Sequence, residues 1–101
     1  MAKDIAFLFI GSAHIDRLGK CFDVPLPGRS NPGRFSERPG GAALNVASLV
    51  QELGASCSLI SQIGTDASGQ LVEQCLDQRH IRNQLLRFPE HSTATYTAII
   101  G

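Results

Sequence analysis

Pro39-Gly40-Gly41-Ala42-Ala43-Leu44-Asn45-Val46-Ala47 decides how this chain is read, because a double glycine runs directly into a helix whose first turn carries a single polar side chain. Two residues without Cβ permit a positive φ and a close approach of backbone to ligand. The helix start that follows offers unpaired N–H groups and the positive end of a dipole, which suits a hydroxyl-rich or anionic ligand. Beyond Gly41, apolar residues recur at Ala43, Val46, Ala47, Val50 and Leu53, the spacing of a helix with one buried face, and Gly54 ends it as a C′ glycine. Asn45 costs helix propensity, so its amide wants a specific partner, either a ligand hydroxyl or a neighbouring loop carbonyl. Taken alone, Gly40-Gly41 also reads as a tight turn feeding a helix.

Upstream, Asp4 to Gly11 is a near-continuous apolar run of strand length and predicts a strand buried on both faces of a parallel sheet. Leu18 to Arg38 then breaks into Gly, Pro, Ser and Asn, where only short stretches such as Cys21 to Val24 and Arg34 to Glu37 suit pairing. An excursion of that length is expected to be functional. Downstream, Ala55 to Ile63 is a second strand candidate. Gly64-Thr65-Asp66 with Gly69 supplies a turn and an N-cap for a second helix, with Ser68, Leu71, Val72, Cys75 and Leu76 on one face. Ligand contact by that loop is the secondary reading. After His80, Gln84 to Phe88 and the alternating Thr93 to Ile100 are strand-like. Strands alternating with helices argue for a parallel α/β sheet with right-handed crossovers, whose ligands bind beyond the C-terminal ends of the strands. Ser12 to Asp16 and Gly40 to Asn45 both fall near that edge.

The 101 residues make one domain at most, and Lys plus Arg equals Asp plus Glu at 9 each, which leaves no electrostatic footprint for nucleic acid or an anionic membrane. The apolar run Ile5 to Ile10 is too short for a membrane span and lacks a signal-peptide pattern, so the expected location is the cytoplasm and the expected partner a small molecule or another protein. Cys21, Cys57 and Cys75 form no C-x-x-C and are expected to be reduced and structural.

Ser12, His14 and Asp16 alternate, so an extended chain puts them on one face. Residues two apart on a strand lie roughly 6.5 Å apart, outside the reach a nucleophile and its base need, which argues against a Ser/His/Asp hydrolase. As metal ligands, His14 and Asp16 lack a third. Asp16 at the end of a buried strand either accepts two hydrogen bonds from adjacent hydroxyls of a sugar-like ligand or caps a turn. There is no Walker A sequence and no G-x-G-x-x-G, and Arg29, Arg34 and Arg38 read as solvated charges.

With these residues in view, the chain resembles the N-terminal portion of the PfkB, or ribokinase-like, family of carbohydrate and nucleoside kinases. The resemblance is carried by Ile10-Gly11-Ser12-Ala13-His14-Ile15-Asp16, the Pro39 to Ala47 signature, Leu53-Gly54-Ala55 and Ile63-Gly64-Thr65-Asp66-Ala67-Ser68-Gly69. It implies the N-terminal part of an α/β parallel three-layer sandwich, with residues 1–101 forming a partial kinase domain and segments of about 17–38 and 93–101 forming a small β-lid. It implies substrate-binding roles for Asp16 on sugar hydroxyls, for Gly40 and Gly41 by close approach, and for Asn45 by hydrogen bonding. It also implies a substrate-binding role for His14, which stands where many sugar-kinase members carry Asn. The implied partners are a small-molecule sugar or nucleoside and, through the lid, a second copy. ATP and Mg²⁺ are implied for the full-length family member. The family's catalytic Gly-Ala-Gly-Asp does not occur in these 101 residues, so the chain alone is expected to bind neither cofactor and to be inactive. Ser30-Asn31-Pro32-Gly33 looks most like the pseudouridine kinase branch. A non-catalytic sugar- or nucleoside-binding or assembly module is the alternative, and a redox or hydrolytic enzyme a distant third.

Overall fold

The computed structural model describes residues 5–100. In chain order the elements are β1 (Phe7–Ile10), β2 (His14–Cys21), β3 (Gly33–Gly40), α1 (Ala42–Glu52), β4 (Cys57–Ile60), β5 (Gln62–Ile63), α2 (Ala67–Gln78), β6 (Arg82–Asn83), β7 (Leu86–Arg87) and β8 (Thr95–Ile100). β1, β4 and β6 form a parallel sheet with β4 in the middle, β3, β2 and β8 form a second sheet, and β5 pairs with β7. The predicted strand over Ala55 to Ile63 is thus two strands that serve different sheets, with the break at Ser61. The predicted segment Gln84 to Phe88 likewise resolves into pairing on either side of Gln84 and Leu85.

Both helices end in the same way. Gly54, at φ +98°, donates its N–H to Gln51 while Ala55 donates to Val50. His80, at φ +59°, and Ile81 repeat this pattern on Asp77 and Leu76. Each is a six-to-one plus five-to-two closure that satisfies the last carbonyls of the helix. Two crossovers that advance in one direction across a parallel sheet place their helices on one face. Arg79 Nη1 of the segment closing α2 accordingly reaches Ser48 Oγ of α1 at 2.6 Å. The core lies under these helices, with Ile15, Leu44, Leu59, Val72 and Leu76 fully buried. Cys57 and Cys75 are buried within it and unpaired, and burial raises both thiols above their ordinary pKa.

The expectation that the first strand is buried on both faces is not met: Phe7, Leu8 and Ile10 are exposed, Ile10 to 74%. β1 is an edge strand here, and the two helices cover only one face of its sheet. Asp4, included in that predicted strand, lies outside the described residues.

The long excursion is more regular than its composition suggests. β2 and β3 pair antiparallel over eight residues each, from His14 opposite Gly40 to Cys21 opposite Gly33. β8 adds to β2 in parallel, from Ile15 opposite Thr95 to Lys20 opposite Ile100. Pro39 is tolerated because β3 is the outer strand. At the far end Asn31 fixes the connecting loop, accepting from Leu26 N and donating to the carbonyls of Leu26 and Arg29. This sheet lengthens the molecule, whose radius of gyration of 16.4 Å exceeds the roughly 13 Å of a compact chain of this size. Among the described residues no helix is long and apolar enough to cross a membrane.

A part-buried clasp joins the sheets. Asp66 caps α2 by accepting from Gly69 N, and it accepts from both the backbone N–H and the hydroxyl of Thr93, at 2.9 and 2.6 Å. The Thr93 hydroxyl in turn accepts from Gly64 N at 2.9 Å. Thr93 immediately precedes β8, so one carboxylate fixes the start of α2 and the approach to the second sheet. These hydrogen bonds, led by the Thr93 hydroxyl, hold the Asp66 carboxyl below the usual carboxylate range. A carboxyl held low in the folded state stabilises it fully above the unfolded value of about 3.9, and that contribution is lost as pH falls through the folded value. Urea midpoints are therefore expected to fall from about pH 4 downward, and to fall less in Asp66→Asn. Thr93→Val should cost about 2 kcal/mol, since buried Gly64 N–H then lacks its acceptor.

Candidate functional site

The candidate site forms where β2 begins, just past the C-terminal end of β1. Ala13 and Ile15 turn into the core, so His14 and Asp16 share the opposite face, as alternation requires. His14 Nε2 and Asp16 Oδ1 are 2.7 Å apart, with side chains 24% and 35% exposed. This corrects the expectation from spacing, because the imidazole spans the gap between the two Cβ positions and the pair does hydrogen-bond. The hydrolase reading still fails, for another reason. Ser12 is committed to α1: its hydroxyl accepts from Ala42 N at 3.1 Å and its carbonyl from Leu44 N at 3.3 Å.

That same commitment corrects the expectation of an open anion site at the start of α1. Gly41 is the N-cap and has no side chain to cap with, so Ser12 supplies the cap from thirty positions upstream. Two of the N–H groups that a ligand would use are already satisfied. Gly41 takes φ +107°, and a Cβ built on it would lie 2.6 Å from the Ser12 carbonyl oxygen. Gly40 faces the Asp16 carboxylate so closely that a Cβ there would overlap Oδ2 and sit 2.9 Å from Cγ. The two glycines therefore do different work, Gly41 docking the helix onto β2 and Gly40 leaving room for a carboxylate.

Asp16, His14 and Gly40 are brought together. Asn45 lies in the first turn of α1 with its side chain exposed, and its amide bonds no described residue, so the loop-carbonyl alternative does not occur there. Asp16 lines a cleft of about 480 Å³ with Leu18, Ser36, Tyr96 and Ala98, together with Arg38 and the Arg17 and Glu37 pair. His14 lines a neighbouring cleft of about 410 Å³ with Gly11, Ser12, Gln62, Leu86 and Ala94. Neither cleft is lined by Asn45. Tyr96 and Arg38 are the lining residues that sequence reasoning missed. The available signal was register, which sets both directly opposite Asp16, on β8 and β3. The Gly64 to Gly69 loop is the helix cap and clasp, in keeping with its turn-and-cap pattern. No group of three metal-ligating side chains occurs among the described residues.

Comparison with known proteins bears on the fold rather than on the site. The family pattern described as pfkB family carbohydrate kinase matches residues 6–101. Pseudouridine kinase of Escherichia coli is 32% identical over 94 residues, covering 92% of this chain and 30% of that protein. A carbohydrate kinase from Agrobacterium tumefaciens superposes with a TM-score of 0.88 at 35% identity, over 93% of this chain and 31% of its own. Fructokinase with bound ATP from Xylella fastidiosa superposes at 0.78 with 26% identity, over 93% and 29%. The chain thus spans about a third of the length of such relatives.

The distinct roles of the glycines can be separated by mutation. Gly41→Val is expected to cost 1–3 kcal/mol or more in stability, through its positive φ and the collision with Ser12, roughly as strained backbone positions do. Gly40→Ala should shift the thermal midpoint far less, because its Cβ meets a part-exposed carboxylate that can rotate away. Its effect is instead to displace Asp16, read as a shift of the Asp16 and His14 NMR resonances. Equal losses of stability from both would show that the two glycines serve one turn.

Proposed function

The chain belongs to the pfkB family of carbohydrate kinases, and on that premise we propose that it forms the acceptor-binding part of an ATP-dependent kinase acting on a hydroxyl of a sugar or nucleoside. The observation that carries this reading is the Asp16 carboxylate, seated over Gly40 and oriented by His14 at 2.7 Å, at the wall of the cleft. With one oxygen engaged by imidazole, the carboxylate keeps lone pairs for the hydroxyls of a ligand. The β3-β2-β8 sheet, carrying both Asp16 and Tyr96, acts as the lid of that site. Acceptor roles for Asn45, whose amide is unengaged, and for Gly41 rest on the family resemblance, since neither lines the two clefts.

The described residues do not fit a nucleotide. The α1 N-terminus is capped by Ser12 and the α2 N-terminus by the Asp66 carboxylate, which repels phosphate. No metal-ligating cluster is present among them. ATP and Mg²⁺ therefore enter no step that these residues perform; their part is to bind and orient the acceptor. A non-catalytic sugar-binding module is the second reading, favoured by those two capped helix starts.

Asp16→Asn should weaken acceptor binding by about 2 kcal/mol, the loss of a charged acceptor to buried hydroxyls. Unchanged calorimetric affinity for a panel of sugars and nucleosides would remove Asp16 from the site. The 101-residue chain itself, incubated with ATP, Mg²⁺ and the same panel, is expected to give no phosphorylated product above a blank. Product that copurifies with the chain and disappears in Asp16→Asn would overturn this.

A further inference from the structure

The 2.7 Å contact between His14 Nε2 and Asp16 Oδ1 assigns one nitrogen of the imidazole. An ionised carboxylate only accepts, so Nε2 carries a proton and donates it. Nδ1 makes no hydrogen bond to any described residue. The ring therefore has two states that both keep the bond to Asp16. With Nδ1 bare, the His14 and Asp16 pair carries one negative charge; with Nδ1 protonated, it carries none. Both side chains are part-exposed, so a proton can reach the ring without creating a buried, unpaired charge.

The surroundings leave the imidazole as the variable group. His14 and Asp16 line adjoining clefts that share no residue, and the bond between them is where the two meet. Around Asp16 stand Arg38, opposite it on β3, Tyr96, opposite it on β8, and the Arg17 and Glu37 pair at 2.9 Å. Gly40 faces His14 on β3, and the cleft of His14 contains no other titratable side chain. The first turn of α1 is uncharged. Of the acidic residues on α2, which packs against β2, Glu73 is paired with Arg87 and Asp77 lines a cleft at the opposite end of the parallel sheet. Between about pH 5.5 and 8, guanidinium, carboxylate and phenol groups ordinarily keep one charge, whereas an imidazole changes its own.

We propose that His14 is a positioning residue that makes acceptor binding proton-linked: the hydroxyls of the acceptor bind Asp16 while the imidazole is neutral, and protonation at Nδ1 weakens that binding. The inference rests on the acceptor-site reading above and adds a condition to it. A hydroxyl donating to a carboxylate makes a charge-assisted bond, roughly twice as strong as one between neutral groups. An imidazolium held against one oxygen draws on the same negative charge and so competes with each hydroxyl at the other. By linkage, a ligand that prefers the neutral pair expels a proton from His14 as it binds. A merely structural clip at the start of β2 would hold Asp16 alike in both states and leave affinity unchanged.

Calorimetry on the chain with D-ribose, D-glucose and uridine, none of which changes charge in this range, tests the proposal at about pH 8 and about pH 5.5. The probe that binds most tightly is expected to lose about fivefold in affinity at the lower pH. Between the two it should release protons on binding, read as a dependence of the measured heat on the ionisation heat of the buffer. His14→Gln, whose amide N–H still donates to a carboxylate, should bind equally at both pH values and release no proton. Replacing the other two histidines of the chain, by His80→Gln and His91→Gln, should leave the dependence intact. Without any ligand, a long-range proton and nitrogen NMR correlation should show His14 protonated at Nε2 throughout and at Nδ1 only at the lower pH. Binding that requires Asp16 yet is equal at the two pH values overturns the inference and leaves the acceptor site standing. A pH dependence that persists in His14→Gln, or a proton on Nδ1 alone at the higher pH, overturns it in the same way. Binding by no probe, or binding unchanged in Asp16→Asn, brings down the acceptor-site reading and this inference with it.

Discussion

Close backbone approach at Gly40-Gly41 is the constraint on which the remaining architecture depends. Only a residue without Cβ can cross the Ser12 carbonyl at that distance, and only in that position does Ser12 cap α1 from outside the helix. The contact fixes α1 against the beginning of β2. β2 is shared between the buried layer, through Ile15, and the outlying sheet, so the same contact sets where that sheet projects. The second attachment is the Asp66 and Thr93 clasp at the start of β8. Two small polar junctions thus supplement the apolar contact of Ala13 and Ile15 in holding the sheet that carries Asp16.

What is legible in the sequence follows from local rules. The period of α1, its Gly54 terminus and the Asp66 cap depend on neighbours in the chain, and all three appear where the pattern puts them. The alternation of β1, α1, β4 and α2 is legible for the same reason, whereas the full lengths of β2 and β3 are not. What the sequence hides needs partners far along the chain. Ser12 as the cap of α1 and Thr93 as the far half of the clasp involve residues about thirty positions apart, and a Ser or Thr carries no mark of such a role. The eight-residue ladders of β2 and β3 are masked by Gly19 on the middle strand and by Gly33 and Pro39 on β3, the outer strand, where a proline is tolerated. The His14 and Asp16 bond is invisible to a Cβ spacing, which ignores the length of the imidazole side chain.

The apolar content of β1 shows the reverse situation, where local pattern and packing part company. Phe7, Leu8 and Ile10 have the composition of a strand covered on both sides, yet the helices shield one face only. A strand with such a sequence is written for a two-sided environment. The relatives that this chain matches are about three times its length, and the exposed apolar surface is of the kind that larger sheets of this class bury.

The charge distribution on the outlying sheet bears on how strongly the site can act. Asp16 remains about a third exposed, so water competes for its lone pairs and each hydrogen bond to a ligand is worth little until the cleft is covered. Covering lowers the local dielectric and strengthens every polar interaction at once, the His14 and Asp16 bond included. It also raises the cost of leaving the Asp16 carboxylate short of partners, since a desolvated charge without them is more unfavourable than a solvated one. On the proposed acceptor reading, closure would discriminate twice, rewarding a ligand whose hydroxyls satisfy Asp16 and penalising one that leaves the carboxylate without partners. In that arrangement selectivity comes less from the hydrogen bonds that a matching ligand makes than from the charge that a wrong one would leave buried.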